Sequence, residues 1–154
     1  MGADAGHLSR GGSASIPALS IVVDTSGIYA FLVHTQTGHA DVVETVRRVL
    51  DDGRDLSTTS YVVLETISLV QHRVGLAPLH DFVEHVMPML SVTWVAEALH
   101  RRGVQRMFRE NRRRLSLVDC VSFEFMRERG LREALALDSD FVGAGFRVLP
   151  AASS

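Results

Sequence analysis

Short apolar runs alternate with longer amphipathic stretches along this chain. A nearly continuous apolar run at Ile16–Val23 predicts a buried strand. Leu90–Val95 is rich in β-forming residues and predicts a second strand. Shorter strand candidates follow at Leu56–Thr59, Ala134–Leu137 and Phe146–Leu149. Between them, apolar residues that recur every three or four positions predict helices over 28–33, 42–50, 60–73, 79–88, 96–113 and 117–129.

Strands that alternate with helices predict an α/β fold. We expect a three-layer α/β/α sandwich around a central, mainly parallel sheet of four to five strands. The 154 residues, 46% of them hydrophobic, suffice for one domain, which we place at 18–150. Residues 1–17 carry many Gly, Ser and Ala residues and predict a disordered leader, and 151–154 a loose tail.

Composition removes several classes of function. The net charge of −2 carries no global nucleic-acid signature, so any basic surface must be local. All sixteen basic side chains are arginine, and without lysine the chain cannot form a standard Walker A motif. The single cysteine, Cys120, excludes an intramolecular disulfide and fits a reducing cytoplasm. No apolar run is long enough for a membrane span.

Four carboxylates stand at comparable places in successive elements: Asp24, Glu65, Asp119 and Asp138 each follow an apolar run. A carboxylate beside buried apolar surface is costly unless a cation or hydrogen-bond donors compensate it. Ligand sites in parallel sheets gather at the carboxyl ends of the strands, so these acids predict one crevice with a divalent metal. Each acid taken alone could instead be a helix cap or complement a helix dipole.

Four short motifs follow one another along the chain: Val23-Asp24-Thr25-Ser26, Leu64-Glu65, Leu115-Ser116-Leu117-Val118-Asp119-Cys120 and Leu137-Asp138-Ser139-Asp140-Phe141. In their order and spacing these motifs resemble the PIN domain, and in particular the VapC-type toxin ribonucleases of bacterial toxin–antitoxin pairs. The resemblance covers about residues 18–150.

The resemblance implies a metal-dependent endoribonuclease that leaves a 5′-phosphate and a 3′-hydroxyl. It implies that Mg²⁺ or Mn²⁺ is held by Asp24, Glu65, Asp119 and Asp138. Ser26 and Ser116 would support the carboxylates, and Asp140 matches a more variable position. It also implies a homodimer and a small antitoxin partner whose tail occludes the site.

Seven of the sixteen arginines fall between Arg101 and Arg114. On a helix, one stripe would be formed by Arg102, Arg106, Arg109 and Arg113. Such a stripe predicts contacts with RNA phosphates, which the acidic crevice would otherwise repel. A solvated helix face and an antitoxin interface remain the alternatives.

Other functions fit the residues less well. A phosphatase with Asp24 as nucleophile would usually need an acid where Ser26 stands, and a catalytic lysine. A receiver-like scaffold would also usually need a lysine. A PIN-like RNA-processing nuclease outside a toxin system and a non-catalytic RNA- or protein-binding domain both remain open.

Overall fold

The computed structural model describes residues 20–151 and contains a five-stranded sheet whose strands are all parallel. The strands are β1 Ile21–Val23, β2 Leu56–Thr59, β3 Leu90–Thr93, β4 Glu133–Leu135 and β5 Arg147–Leu149. The helices are α1 Thr25–Leu32, α2 His39–Asp51, α3 Ser60–Arg73, α4 Leu76–Asp81, α5 Glu97–Glu110, α6 Leu117–Arg129 and α7 Asp140–Gly143. The predicted α/β/α sandwich is confirmed. The predicted leader and most of the predicted tail lie outside the described residues.

Two apolar cores cover the two faces of the sheet, because successive strand side chains point to opposite faces. On β1, Ile21 and Val23 pack into the core that includes α1, α2 and α3. Val22 packs into the other core, which includes α5, α6 and α7. All three side chains are almost fully buried, which explains why β1 is a continuous apolar run.

The strand order places a crevice at the carboxyl end of β1. The order is β3-β2-β1-β4-β5, so the chain runs outward from β1 to β2 and β3 and then crosses back to β4 on the other side of β1. Such a reversal opens a crevice outside the carboxyl ends of the two strands concerned. The pairing of β1 with β4 continues into this region, where the Asp24 N–H donates to the Leu135 carbonyl at 3.0 Å.

Several predicted elements have different bounds in the structure: the helices predicted at 28–33 and 42–50 both begin three residues earlier, at Thr25 and His39. The predicted helix 96–113 ends at Glu110, because Asn111 adopts the left-handed conformation with φ of 49°. The predicted helix 79–88 begins earlier, at Leu76, and continues as a π-helical turn over Phe82–Val86. The predicted strand Ile16–Val23 begins at Ile21, and its residues 16–19 are outside the described part of the chain.

Over residues 20–151, no helix combines the length and apolar character that crossing a membrane requires.

Gly27 allows α1 to approach the end of β4. A Cβ atom at this position would lie 2.5 Å from the Leu135 carbonyl oxygen, which is backbone and cannot rotate away. We therefore expect Gly27→Ala to lower the free energy of unfolding by about 1–3 kcal/mol, the usual cost of overpacking. Urea denaturation measures this change.

Gly143→Ala is the matched control, since a Cβ there would meet no described atom within 4 Å. Alanine normally stabilises a helix relative to glycine by roughly 0.5–1 kcal/mol, so this control should be neutral or stabilising. Equal stability of the two variants would contradict the close approach at Gly27.

Candidate active site

Asp24 is the most buried acid of the crevice, with 2% of its surface exposed. It caps α1: its Oδ2 accepts hydrogen bonds from the Ser26 hydroxyl at 2.8 Å and from the Ser26 N–H at 3.3 Å. Its other oxygen, Oδ1, is buried and has no hydrogen-bond partner among the described residues. Leaving such an atom unpaired is costly, so Oδ1 is available to a cation.

Ser26 also connects the two strands that border the crevice. While its hydroxyl donates to Asp24, the same oxygen accepts a hydrogen bond from the Leu137 N–H at 3.0 Å. Leu137 directly precedes Asp138, so this bond holds the backbone next to that acid close to Ser26. Ser26 therefore fixes the segment after β4 as well as the carboxylate that follows β1.

Asp119 is held at the start of α6 by a capping box with Ser116. The Ser116 hydroxyl donates to Asp119 Oδ2 at 2.9 Å and accepts from the Asp119 N–H at 3.1 Å. The Ser116 N–H donates to the same Oδ2 at 3.3 Å. Reciprocal bonds of this kind fix both the helix start and the side-chain direction. Ser116 thus supports Asp119 as the sequence predicts.

Glu65 and the acids after β4 complete the rim. Glu65 is half-buried in the second turn of α3. Asp138 lies three residues beyond β4, and its Oδ1 accepts from the Asp140 N–H at 3.1 Å. Asp140 begins α7 and pairs with Arg112 at 3.3 Å, so it faces an arginine.

The acids are close enough to disturb one another's ionisation. Burial, followed by repulsion from Asp119 and Asp138, raises the pKa of Asp24 to about 7, although hydrogen bonds from Ser26 oppose the change. Burial also raises the pKa of Asp119 to about 6, with repulsion from Asp138 and Glu65 as smaller causes. Burial raises the pKa of Asp138 as well. Asp24, Asp119 and Asp138 therefore lie near one another beyond the carboxyl end of β1, and Glu65 lies near Asp119.

The donor set fits a hard divalent cation. It consists of carboxylate oxygens, of which Asp24 Oδ1 is buried and unpaired within residues 20–151. No three His, Cys, Asp or Glu side chains in that range are arranged as a preassembled ion site. Mg²⁺ binds through one or two carboxylates and keeps several waters, so it does not need a complete protein cage. Metal binding by these acids stays a prediction.

The predicted arginine stripe is not formed as one surface. Arg106 is 6% exposed, pairs with Glu124 at 3.2 Å and lies over the Phe123 ring at 5.0 Å. Arg113 follows the end of α5 and lies in a turn. The prediction of one continuous helical stripe was therefore wrong, because α5 ends before Arg113 and the Arg106 side chain packs against α6.

The other two arginines of the stripe belong to α5 and contact glutamates of α6. Arg102 pairs with Glu128 at 3.0 Å, and Arg109 lies 3.7 Å from Glu124. Sequence reasoning missed Arg112, which lies beside the acids through its contact with Asp140. No periodic pattern marks Arg112, because it follows the end of the helix.

Comparison with known proteins places this geometry in a family context. The sequence model described as "PIN domain" matches residues 21–146. The chain is 32% identical over 90 residues to "23S rRNA-specific endonuclease VapC20" of Mycobacterium tuberculosis, covering 58% of this chain and 69% of the relative.

Solved structures share the fold over most of the chain. The crystal structure of M. tuberculosis VapC20, described as a "Sarcin-Ricin loop cleaving toxin", matches with a TM-score of 0.72 and 29% identity, over 82% of this chain and 96% of the other. FitAcB from Neisseria gonorrhoeae matches with a TM-score of 0.62 and 15% identity, over 83% and 95% of the two chains. VapBC2 from Rickettsia felis has a TM-score of 0.64 and 6% identity, over 83% and 96%. The last two show similarity of fold alone.

The raised pKa of Asp24 predicts a dependence of stability on pH without divalent metal. Between the ordinary carboxyl value of 3.8 and about 7, the folded chain holds a proton that the unfolded chain has released. Raising the pH through this window therefore favours unfolding. We expect the free energy of unfolding in EDTA to fall by a few kcal/mol from about pH 4 to pH 7, and urea denaturation across this range measures it.

Asp24→Asn should remove the largest single part of this decline, because asparagine keeps the helix cap but does not titrate. A smaller decline should remain, because the pKa values of Asp119 and Asp138 are raised as well. Asp51→Asn, at a site whose side chain is 70% exposed, should keep the decline. A decline of equal size in both variants would assign it to other groups.

Proposed function

Because this chain belongs to the PIN-domain family, we propose that it is a metal-dependent endoribonuclease in which Asp24, Glu65, Asp119 and Asp138 hold Mg²⁺ or Mn²⁺. The observation that carries the proposal is the buried, unpaired Oδ1 of Asp24, with Asp119 and Asp138 close enough to repel its charge. A cation at this point would relieve both the repulsion and the missing hydrogen bond. An acid that served only as a helix cap would need neither an unpaired buried oxygen nor acidic neighbours.

The two serines orient the two most buried acids. Ser26 holds Asp24 through Oδ2, and Ser116 holds Asp119 through Oδ2. Each carboxylate is thus fixed through one oxygen and keeps the other for a ligand. Rigid orientation matters, because misplacement of about 1 Å is enough to cost a large part of a catalytic rate.

The reaction we propose is in-line hydrolysis of an RNA phosphodiester. A bound divalent ion supplies a more acidic water and stabilises the charge that develops on the phosphate. The carboxylates position the ion, and no side-chain nucleophile is required. Cys120, next to Asp119, is buried, and burial raises the pKa of its thiol, so it is a poor nucleophile.

We propose that the chain is the toxin of a toxin–antitoxin pair and acts on structured RNA. The name of the M. tuberculosis relative, a 23S rRNA-specific endonuclease, supports an RNA substrate. Several neighbours in fold are VapBC or FitAB complexes, which supports a small antitoxin partner. A homodimer is proposed from the family resemblance alone. The crevice lies at the surface, where the antitoxin's tail can occlude it.

Purified protein should cleave RNA in Mg²⁺ or Mn²⁺. Asp119→Asn should lower the rate by more than about 100-fold, because about 100-fold is the upper range for loss of a residue that only hydrogen-bonds to a metal ligand. Asparagine retains a similar shape and capping capacity, so loss of the negative charge is the main change. Gel analysis of a labelled ribosomal RNA fragment measures the rate, and sequencing of the RNA ends identifies the cut.

Asp51→Asn is the control for the change of charge and should cleave at the wild-type rate, since Asp51 is exposed on α2. EDTA should stop cleavage and added Mn²⁺ should restore it. Cleavage that continues in EDTA, or that survives Asp119→Asn, would exclude the metal-dependent mechanism.

A further inference from the structure

A basic turn adjoins the carboxylate crevice. From Arg109 to Arg114, six residues contain four arginines and one glutamate. Arg113 and Arg114 are exposed, and neither has an acidic partner within ion-pair distance among residues 20–151. Positive charge without an acidic partner is therefore concentrated in the turn between α5 and α6.

The chain connection to Ser116 and one ion pair hold this turn beside the acids. Arg114 is two residues before Ser116, which anchors Asp119. On the other side, Arg112 pairs with Asp140 at 3.3 Å, and the Asp140 N–H donates to Asp138 at 3.1 Å. Positive charge held here opposes the repulsion that the acids exert on a polyanion.

Phe108 adds an aromatic surface to the same region. Its side chain is 74% exposed, in the last turn of α5. It lies two residues, or roughly 200° around the helix, from Arg106, whose side chain packs against α6. Phe108 therefore points away from the protein core.

We propose that Phe108 and the turn Arg112–Arg114 bind the single-stranded part of the RNA next to the scissile phosphate. Arg113 and Arg114 bind the backbone phosphates, while Phe108 stacks on a base. Aromatic rings interleaved with cations are the usual means of holding single-stranded nucleic acid, because every base has a face for stacking. This inference rests on the proposed nuclease function and assigns it a substrate-positioning surface.

Binding of a short fluorescein-labelled single-stranded RNA, measured by anisotropy in EDTA over a series of salt concentrations, tests the surface apart from cleavage. Arg113→Ala with Arg114→Ala should weaken binding and reduce the slope of log affinity against log salt by about 0.7 for each phosphate that the variant no longer binds. Phe108→Ala should weaken binding by about tenfold with an unchanged slope, because stacking releases no counterions.

Two control variants test whether these effects are specific to the proposed surface. Arg47→Ala with Arg48→Ala removes two exposed arginines from α2, on the opposite face of the sheet, and should leave the affinity and the slope unchanged. Phe108→Tyr retains a stacking ring and should bind within about twofold of the wild type.

The inference is overturned if the Arg113/Arg114 variant binds RNA like the Arg47/Arg48 variant, or if Phe108→Ala binds like the wild type. A change in molar mass by light scattering without a change in RNA affinity would make this surface a protein interface instead. Wild-type protein that binds as described but does not cleave in Mg²⁺ would overturn the proposed function alone. Cleavage with unaltered binding by the variants would overturn this inference alone.

Discussion

Burial of the Asp24 carboxylate is the constraint on which the rest of the site depends. One oxygen is satisfied by Ser26, and the other is buried without a hydrogen-bond partner in the described part of the chain. Such a group is tolerated only if it is protonated or if a ligand compensates it, and burial with acidic neighbours raises its pKa to about 7. The site is thus unfavourable for the bare fold, as expected where stability is given up for function.

The order of the strands explains why the unfavourable burial of a carboxylate occurs directly after β1. Reversal of the chain connections beside β1 opens the crevice, and the Ser26 hydroxyl joins its two sides by bonding to Asp24 and to the Leu137 N–H. The Gly27 backbone approaches β4 closely enough to make this bridge possible. Packing and chemistry therefore depend on the same few residues after β1.

Charge is divided between the crevice and its surroundings. The acids face one another, whereas arginines near the end of α5 differ in role according to burial. Arg106 is enclosed between glutamates and the Phe123 ring and stabilises the contact between α5 and α6. Arg113 and Arg114 are exposed beside the crevice. A small net charge of −2 conceals this separation of positive and negative surfaces.

The sequence by itself determined the α/β architecture and the approximate elements, because strand and helix periodicities are local properties, and it predicted the four acids from the apolar runs that precede them. Tertiary structure alone decided which acid is buried, that Ser26 bridges to Leu137, and which arginines remain exposed. The stripe through Arg106 was predicted wrongly because a helical repeat cannot reveal which face packs on α6 or that Asn111 ends the helix. Burial and pairing depend on contacts between residues far apart in the chain, and no local pattern records them.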